Sequence, residues 1–228
     1  MDSQFVQSYF ETQYAIADSL VIHNKFRSVR EYESIIQNFT PYFELKAAQQ
    51  KAEAIKNSPE YKGQIAERAA NIKEENELYE KFSKVYSNDI LAAKSDDNFK
   101  WWRKELKRLD IDIENATMTS RGKMLKRLKY TVYAGIYESS MMFIGSEKYK
   151  HALYCDHVLV HFNPEQAYWY YRLAESYARN DNFSSTIKQL KKAKELGLKG
   201  FQRVENAPVF AKFKNKRKFK KLFENQLK

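Results

Sequence analysis

The side chains best suited to metal or acid–base chemistry lie in one stretch, HALYCDHVLVH, from His151 to His161. His157 and His161 are four residues apart, a spacing that places two imidazoles on one helix face for zinc. The stretch lacks the Glu that a zinc-protease helix carries between its histidines. A second pair, His151 and Cys155, points about 120° away from the first pair on a helix. The sequence therefore favours structural or surface roles for these side chains over a metal site.

No other motif predicts a catalytic or nucleotide-binding site. The sequence has no glycine-rich loop of the dinucleotide or phosphate-loop type, and no GxSxG motif of a serine hydrolase. Its carboxylates lie among lysines, as in residues 74–81, which is typical of a solvated helix face. These observations predict a protein without catalytic residues, cofactor or metal.

The composition predicts long helices with short links and a basic C-terminal end. The 228 residues include only 6 Gly and 4 Pro, too few for the many tight turns of a sandwich or barrel. The net charge is +11, and residues 199–228 contribute most of it, with ten Lys or Arg against two Glu. Any electrostatic interpretation is therefore confined to this tail.

The chain carries no signal that assigns it to a compartment. Its single cysteine excludes an internal disulfide. No apolar run is long enough to predict a membrane span, and the N-terminus lacks the basic head and apolar core of a signal peptide. Two locations stay open: the cytoplasm, or export of a longer precursor whose signal has been removed.

Two segments of the same design follow one another over residues 133–166 and 167–200, offset by 34 residues. The second segment has two apolar stripes at helical spacing, separated by the turn-forming run Asn180–Asn182. The stripes are Tyr170, Leu173, Ala174 and Tyr177, then Phe183, Ile187, Leu190 and Ala193. Each segment therefore predicts a hairpin of two helices, which must stack on a neighbour to bury its apolar face.

This pattern resembles the tetratricopeptide repeat, whose two helices carry bulky, small and aromatic residues in a fixed order. The second segment departs from that pattern at Asp181 and Thr186. The first matches it at Tyr149, Ala152 and Pro164, and departs from it at Ser139, Ser140 and Asp156. Residues 10–43 resemble a degenerate third copy.

The resemblance implies an all-α fold of antiparallel helical hairpins stacked as a right-handed superhelix. The chain would then comprise a degenerate repeat-like pair, an inserted long hairpin with bridging helices, two repeat-like units and a basic helical cap. These parts span residues 1–43, 44–132, 133–200 and 201–228, and they are expected to form one continuous structural unit.

Periodicity and capping signals predict the other helices. Thr40-Pro41 and Ser58-Pro59 are start signals, since a capping side chain precedes the one residue that loses no hydrogen bond in a first turn. The predicted helices span 3–23, 28–38, 41–56, 59–86 and 120–143, with a further stripe at Phe99, Trp102, Leu106 and Leu109. The helices 41–56 and 59–86 meet at Ser58-Pro59 and are predicted to form an alanine-rich antiparallel hairpin. A cap at Ser95–Asp97 precedes the Phe99 stripe, and residues 110–117 are expected to be a polar link.

In the family that this chain resembles, the first helices of successive repeats line a groove that holds an extended peptide or a helix. The corresponding positions here are Tyr14, Asp18, Tyr137, Met141, Tyr168, Tyr171 and Glu175. Tyrosines suit such a surface because they give large contact area with little entropy to lose. The alternative is that the inserted hairpin fills the groove and the tyrosines are core.

The predicted function is a non-catalytic scaffold that binds a protein or peptide, with the oligomeric state left open. One alternative is a helical accessory region of a larger enzyme, because WWRKEL at 101–106 resembles regions that follow hydrolase domains in some bacterial proteins. Another is nucleic-acid contact through the lysines of residues 212–221 beside Phe213 and Phe219. A cap is favoured over that contact, because Phe219, Leu222, Phe223 and Leu227 are regularly spaced.

Overall fold

A computed structural model describes residues 3–92 and 97–223 of the chain, and these residues contain helices and no strand. The predicted all-α class is confirmed. The α-helices are α1 (Ser3–His23), α2 (Lys25–Phe39), α3 (Lys46–Asn57), α4 (Pro59–Ala92), α5 (Asp97–Asn115), α6 (Ser120–Gly145), α7 (Tyr149–Phe162), α8 (Ala167–Arg179), α9 (Phe183–Glu195) and α10 (Arg217–Lys220). Two 3₁₀ helices, Phe201–Asn206 and Pro208–Phe213, precede α10. The chain divides into two compact units, residues 1–74 and 75–228, and each is described by itself.

In the first unit, α1 packs against α2 and α2 packs against α3. Asn24 ends α1 and caps α2, because its side chain accepts a hydrogen bond from the backbone N–H of Arg27 at 3.0 Å. Ala17 is fully buried, and its carbonyl accepts a bond of 2.8 Å from the Ser28 hydroxyl of α2. A small residue at this crossing therefore lets the two helices approach closely.

Thr40-Pro41 does not start a helix. Thr40 is the C-cap residue of α2, with its backbone N–H and its hydroxyl both donating to the carbonyl of Ile36, and the next helix begins only at Lys46. The turn between them carries Phe43 into an aromatic cluster, with its ring centroid 4.6 Å from that of Phe10. The chain then continues into α3, which packs against α2, whereas the sequence predicted α4 as its hairpin partner.

Two helices run further than the sequence predicted. α4 continues to Ala92, and α5 continues to Asn115 through the expected polar link. In both extensions apolar residues pack against the main core of the second unit, among them Ile90 in α4 and Ile113 in α5. This packing outweighs the weak helix propensity of the neighbouring Asn and Asp residues.

The core of the second unit lies among α5, α6 and α7, with α8 packed against α7. Trp102 is fully buried, and its indole N–H donates to the Tyr154 hydroxyl at 2.9 Å. Gly122 lies in the first turn of α6 against Ala116, the residue after α5, where a Cβ would lie 1.8 Å from the carbonyl oxygen of Ala116. Only glycine permits this close approach.

The two repeat-like segments form hairpins, α6 with α7 and α8 with α9, and their turns are equivalent. Glu147 and Asp181, which lie 34 residues apart, both have a left-handed φ of 59°. In the first turn the N–H of Lys148 donates to the Phe143 carbonyl at 2.8 Å. In the second, the bond from Asn182 to Tyr177 repeats it at 3.0 Å. The internal repeat thus extends to individual backbone hydrogen bonds.

The basic C-terminal segment packs its aromatic side chains onto α8 and α9. Phe210 and Phe219 are fully buried in a cluster with Ala174 and Leu190. The last described helix is only the single turn of α10, preceded by Lys216 rather than capped by Asn215. The predicted contribution of Leu227 and the predicted cap at Ser95 and Asp96 lie outside the described residues.

Candidate functional site

A row of tyrosines follows one face of α6. Tyr130, Tyr133 and Tyr137 are spaced by three and four residues, which places them on the same side of a helix. Successive ring centroids are 6.3 Å and 6.4 Å apart, and the rings of Tyr133 and Tyr137 are nearly parallel, at 8°. Tyr130 is 69% exposed and Met141, one turn beyond Tyr137, is 45% exposed. α6 therefore presents an aromatic surface to solvent.

α8 completes this surface with Tyr168 and a buried tryptophan beneath it. Trp169 is 4% exposed, and its ring centroid lies 5.6 Å from that of Tyr133 and 6.0 Å from that of Tyr137, edge to face in both cases. Tyr168 packs edge-on against Trp169 at 5.0 Å and stays 45% exposed. We call Tyr130, Tyr133, Tyr137 and Tyr168 the tyrosine row.

Arg172 of α8 contacts two of the predicted groove residues, Tyr137 and Met141. Its guanidinium lies 5.2 Å from the ring centroid of Tyr137, and its Nη1 donates to the Met141 sulfur at 3.1 Å. Burial alone would lower the pKa of Arg172, but Asp156, and after it Tyr168 and Tyr137, outweigh this effect and raise the pKa. One cation from α8 thus joins residues that the sequence predicted on two helices.

Asp156 of α7 holds Arg172 in place from below. The carboxylate is 1% exposed and lies 3.4 Å from Nη2 of Arg172. The hydroxyls of Ser140 and Ser176 donate to its two oxygens, the first at 2.7 Å. Burial raises the pKa of Asp156, while Arg172 and the two hydroxyls act in the opposite direction. A charge buried with these partners positions the surface above it, and solvent or substrate does not reach it.

Tyr171 and Glu175, also predicted in the groove, face the C-terminal segment. The Tyr171 hydroxyl donates to Glu175 at 2.8 Å, and its ring meets Phe210 edge-on at 6.1 Å. Burial raises the pKa of both side chains, and Arg172 partly offsets the effect on Glu175. These residues are half-buried and contribute less open surface than the tyrosine row.

The remaining predicted groove residues, Tyr14 and Asp18, belong to the first unit. Lys51 of α3 donates to both carboxylate oxygens of Asp18, at 2.7 Å and 2.9 Å, and lies 4.7 Å from the centroid of Tyr14. The Tyr32 hydroxyl also donates to Asp18. The structure therefore brings Tyr14 and Asp18 together around a lysine that the sequence analysis did not single out.

The histidines and the cysteine occupy packed positions on α7. His157 stacks on Phe99 with ring centroids 4.5 Å apart and hydrogen-bonds the Tyr177 hydroxyl. Cys155 is fully buried, and burial raises the pKa of its thiol to about 12. Among residues 3–92 and 97–223, no group of three His, Cys, Asp or Glu side chains is arranged to hold a metal ion.

The sequence predicted part of this site and missed its centre. Arg172 and Trp169 were not singled out, because a repeat pattern describes apolar positions and does not identify a buried ion pair. Ser140 and Asp156 did carry a signal, since both depart from the repeat pattern. The structure shows that these two departures meet, 2.7 Å apart, in one hydrogen-bond network.

The described residues define an all-α protein with an exposed aromatic face on its second unit. No protein-family model matches the chain, and comparison with curated proteins and with solved structures finds no match either. In the described ranges, no helix is long and apolar enough to cross a membrane.

Proposed function

We propose that this chain is a non-catalytic helical scaffold that binds a peptide segment of another protein on the tyrosine row. The proposal keeps the stacked, tetratricopeptide-like arrangement expected from the sequence. The observation that carries it is the combination of high exposure and fixed geometry. Tyr130 and Tyr168 are 69% and 45% exposed, while Trp169 and Arg172 behind the row are buried.

Fixed, exposed tyrosines suit recognition for a physical reason. Binding orders side chains, at a cost of about 0.5–1.5 kcal/mol for each flexible one. The rings of the row already contact one another, Trp169 or Arg172, so most of that cost is met on folding. Tyrosine also combines a large apolar surface with a hydroxyl, which allows it to bind a peptide backbone as well as a side chain.

A cleft of about 460 Å³ adjoins one end of the row and suits an anchoring side chain of the partner. Tyr130 and Tyr133 form one wall, Ile113 of α5 and Phe162 of α7 contribute apolar surface, and Lys129 lies at the cleft paired with Asp110. From Tyr130 to Met141 the helix rises by about 16 Å, the length of about five residues of extended peptide. The partner we propose is therefore an extended segment with an apolar or aromatic anchor.

The proposal is tested by selecting peptides from a random library against the intact chain and measuring their affinity by fluorescence anisotropy. Changing both Tyr130 and Tyr168 to Ala should lower the affinity of the selected peptides for the chain by about tenfold or more. Exposed aromatic anchors each contribute about 1–2 kcal/mol to binding. Both rings are largely outside the core, so the melting temperature should change little. Tyr42→Ala is the matched control, because Tyr42 is 57% exposed in the first unit.

Two outcomes would contradict the proposal. The first is that selected peptides bind the double variant as tightly as the unchanged chain. The second is that Tyr42→Ala weakens them as much as the double variant does. If the double variant unfolds, Tyr168→Phe and Tyr130→Phe, which keep the rings, give the same comparison through the hydroxyl groups alone.

A further inference from the structure

The second unit contains another cleft, built from α7, α9 and the C-terminal segment, with a volume of about 1030 Å³. α8 contributes Tyr170 and Leu173 to it. At about 100° per residue, Tyr170 lies about 160° around α8 from Tyr168. This cleft is therefore separate from the tyrosine row, and the argument for it does not depend on the function proposed above.

Cationic side chains dominate the rim of this cleft. They come from α5, from α9 and from the end of the chain, and only one carboxylate, Glu195, lines the cleft with them. The cations are Arg103, Lys188, Lys191, Lys192, Lys218 and Lys221. In the part of the chain that the structure describes, none of the six forms an ion pair. Six cations against one carboxylate leave the cleft with an excess of positive charge, which concentrates a positive potential there.

The floor of the cleft is apolar and aromatic. Val160, Leu173 and Ile187 line it, together with Tyr170 and the ring of Phe183. The Lys192 ammonium lies 6.0 Å from the Tyr170 ring centroid. Burial, together with Arg103, lowers the pKa of His161 to about 4, so this ring is a neutral hydrogen-bonding group at neutral pH. A ligand that fits both rim and floor has charged groups on a flat or apolar body.

We infer that this cleft binds a multiply phosphorylated small molecule. Its volume is at the upper end of the range of about 300–1000 Å³ that is usual for small-molecule sites. Five of the six cations are lysines, which bind phosphate as point charges. A phosphate group also brings more negative charge and more acceptor oxygens than a carboxylate, so a compact ligand with several phosphates can balance six cations.

A long nucleic-acid strand fits the structure less well than a compact anion. A strand would need a charged track that continues beyond the cleft. The neighbouring tail lysines are already engaged, since Lys212 pairs with Asp181 and Lys214 donates to Asn206. The Lys216 ammonium lies 4.4 Å from the Phe183 ring centroid. These three lysines are held by other contacts and do not line the cleft, whereas the six cations share that lining.

The test is isothermal titration calorimetry of the intact chain with inorganic tripolyphosphate at fixed ionic strength. The Lys188→Gln, Lys192→Gln double variant should bind it at least about tenfold more weakly, because two cations that face the anion are lost. The control is Lys123→Gln, Lys150→Gln, which removes the same charge at exposed positions outside the cleft. It should change the affinity less than twofold, and circular dichroism should show both variants folded.

Three outcomes would overturn the inference. In the first, tripolyphosphate produces no saturable heat at millimolar concentration. In the second, the two double variants weaken tripolyphosphate binding equally, which would show only general electrostatic attraction. In the third outcome, oligothymidylate or hexaglutamate displaces tripolyphosphate at lower concentration than adenosine triphosphate does. That result would assign the cleft to a nucleic acid or an acidic peptide instead.

Discussion

At the scale of single residues, the buried Asp156–Arg172 pair determines whether the exposed tyrosines keep their places. Arg172 contacts Tyr137 and Met141 on its outer side. On its inner side Nη2 donates to Ser140 and Asp156, and the Ser176 hydroxyl donates to the other carboxylate oxygen of Asp156. An ion pair of this kind adds little net stability compared with well-packed apolar residues, but breaking it is costly. Its value here is the fixed position of the surface.

Asp156→Ala is therefore expected to lower the free energy of unfolding by about 3–5 kcal/mol, because it leaves the Arg172 guanidinium buried without its counter-charge. Urea unfolding followed by circular dichroism measures this change. The control is Glu53→Ala, whose pair with Lys56 is exposed and should contribute less than about 0.5 kcal/mol. If both substitutions lower the free energy of unfolding by the same small amount, Arg172 does not depend on Asp156 as its counter-charge.

His161 gives a pH prediction whose sign follows from its environment. Its pKa is about 4 in the folded chain and 6.5 ordinarily, because of burial and Arg103. Between pH 6.5 and 4 the unfolded chain takes up a proton at this site that the folded chain does not, so stability falls as pH falls. His161→Phe should reduce the loss of stability between pH 7 and 4.5, measured by urea midpoints. An unchanged loss in this variant would contradict the assignment.

At the scale of helices, sequence periodicity predicted most elements and failed where long-range packing decides. α1 and α6 agree with the predicted ranges to within two residues. The start predicted at Pro41 is wrong, because Thr40 instead closes α2. The end predicted for α4 is also too early, since Ile90 packs against the core of the second unit. Local capping signals carry no information about such long-range contacts.

The candidate site was predictable to a similar degree. The resemblance to the tetratricopeptide repeat placed Tyr137, Met141 and Tyr168 in one groove, and in the structure Tyr137 and Met141 both contact Arg172. The spacing did not show that Tyr171 is turned toward Phe210, since that contact depends on where the C-terminal segment returns. Residues that depart from a repeat pattern, here Ser140 and Asp156, were the best sequence indication of a buried network.

The hairpin turns give a prediction at this scale. Glu147 has a left-handed φ of 59°, a conformation that costs most non-glycine residues about 1–2 kcal/mol. Glu147→Gly should raise the free energy of unfolding by up to about 1 kcal/mol, less the added flexibility of the unfolded chain. Glu147→Ala, which keeps the strain, should not. If Glu147→Gly and Glu147→Ala change the thermal unfolding equally, a side chain at this position causes no backbone strain.

At the scale of the whole molecule, the second unit carries two surfaces of different chemistry. The tyrosine row on α6 and α8 is aromatic, and beside it Lys129 pairs with Asp110 and Arg172 with Asp156. The cleft beside α9 is rimmed by six cations. α8 contributes to both, through Tyr168 on one side and Tyr170 on the other. A change on one surface should therefore leave binding at the other intact. The Tyr130→Ala, Tyr168→Ala variant should still bind tripolyphosphate, and the Lys188→Gln, Lys192→Gln variant should still bind the selected peptides.

The account depends most directly on where a bound peptide lies. A library-selected peptide carrying a photoreactive phenylalanine analogue can be cross-linked to the intact chain, and the attachment sites identified by mass spectrometry. We predict cross-links on α6 between Tyr130 and Met141 and on α8 at Tyr168. Cross-links confined to the first unit, or to α9 and the C-terminal segment, would contradict the proposal that the tyrosine row is the binding surface.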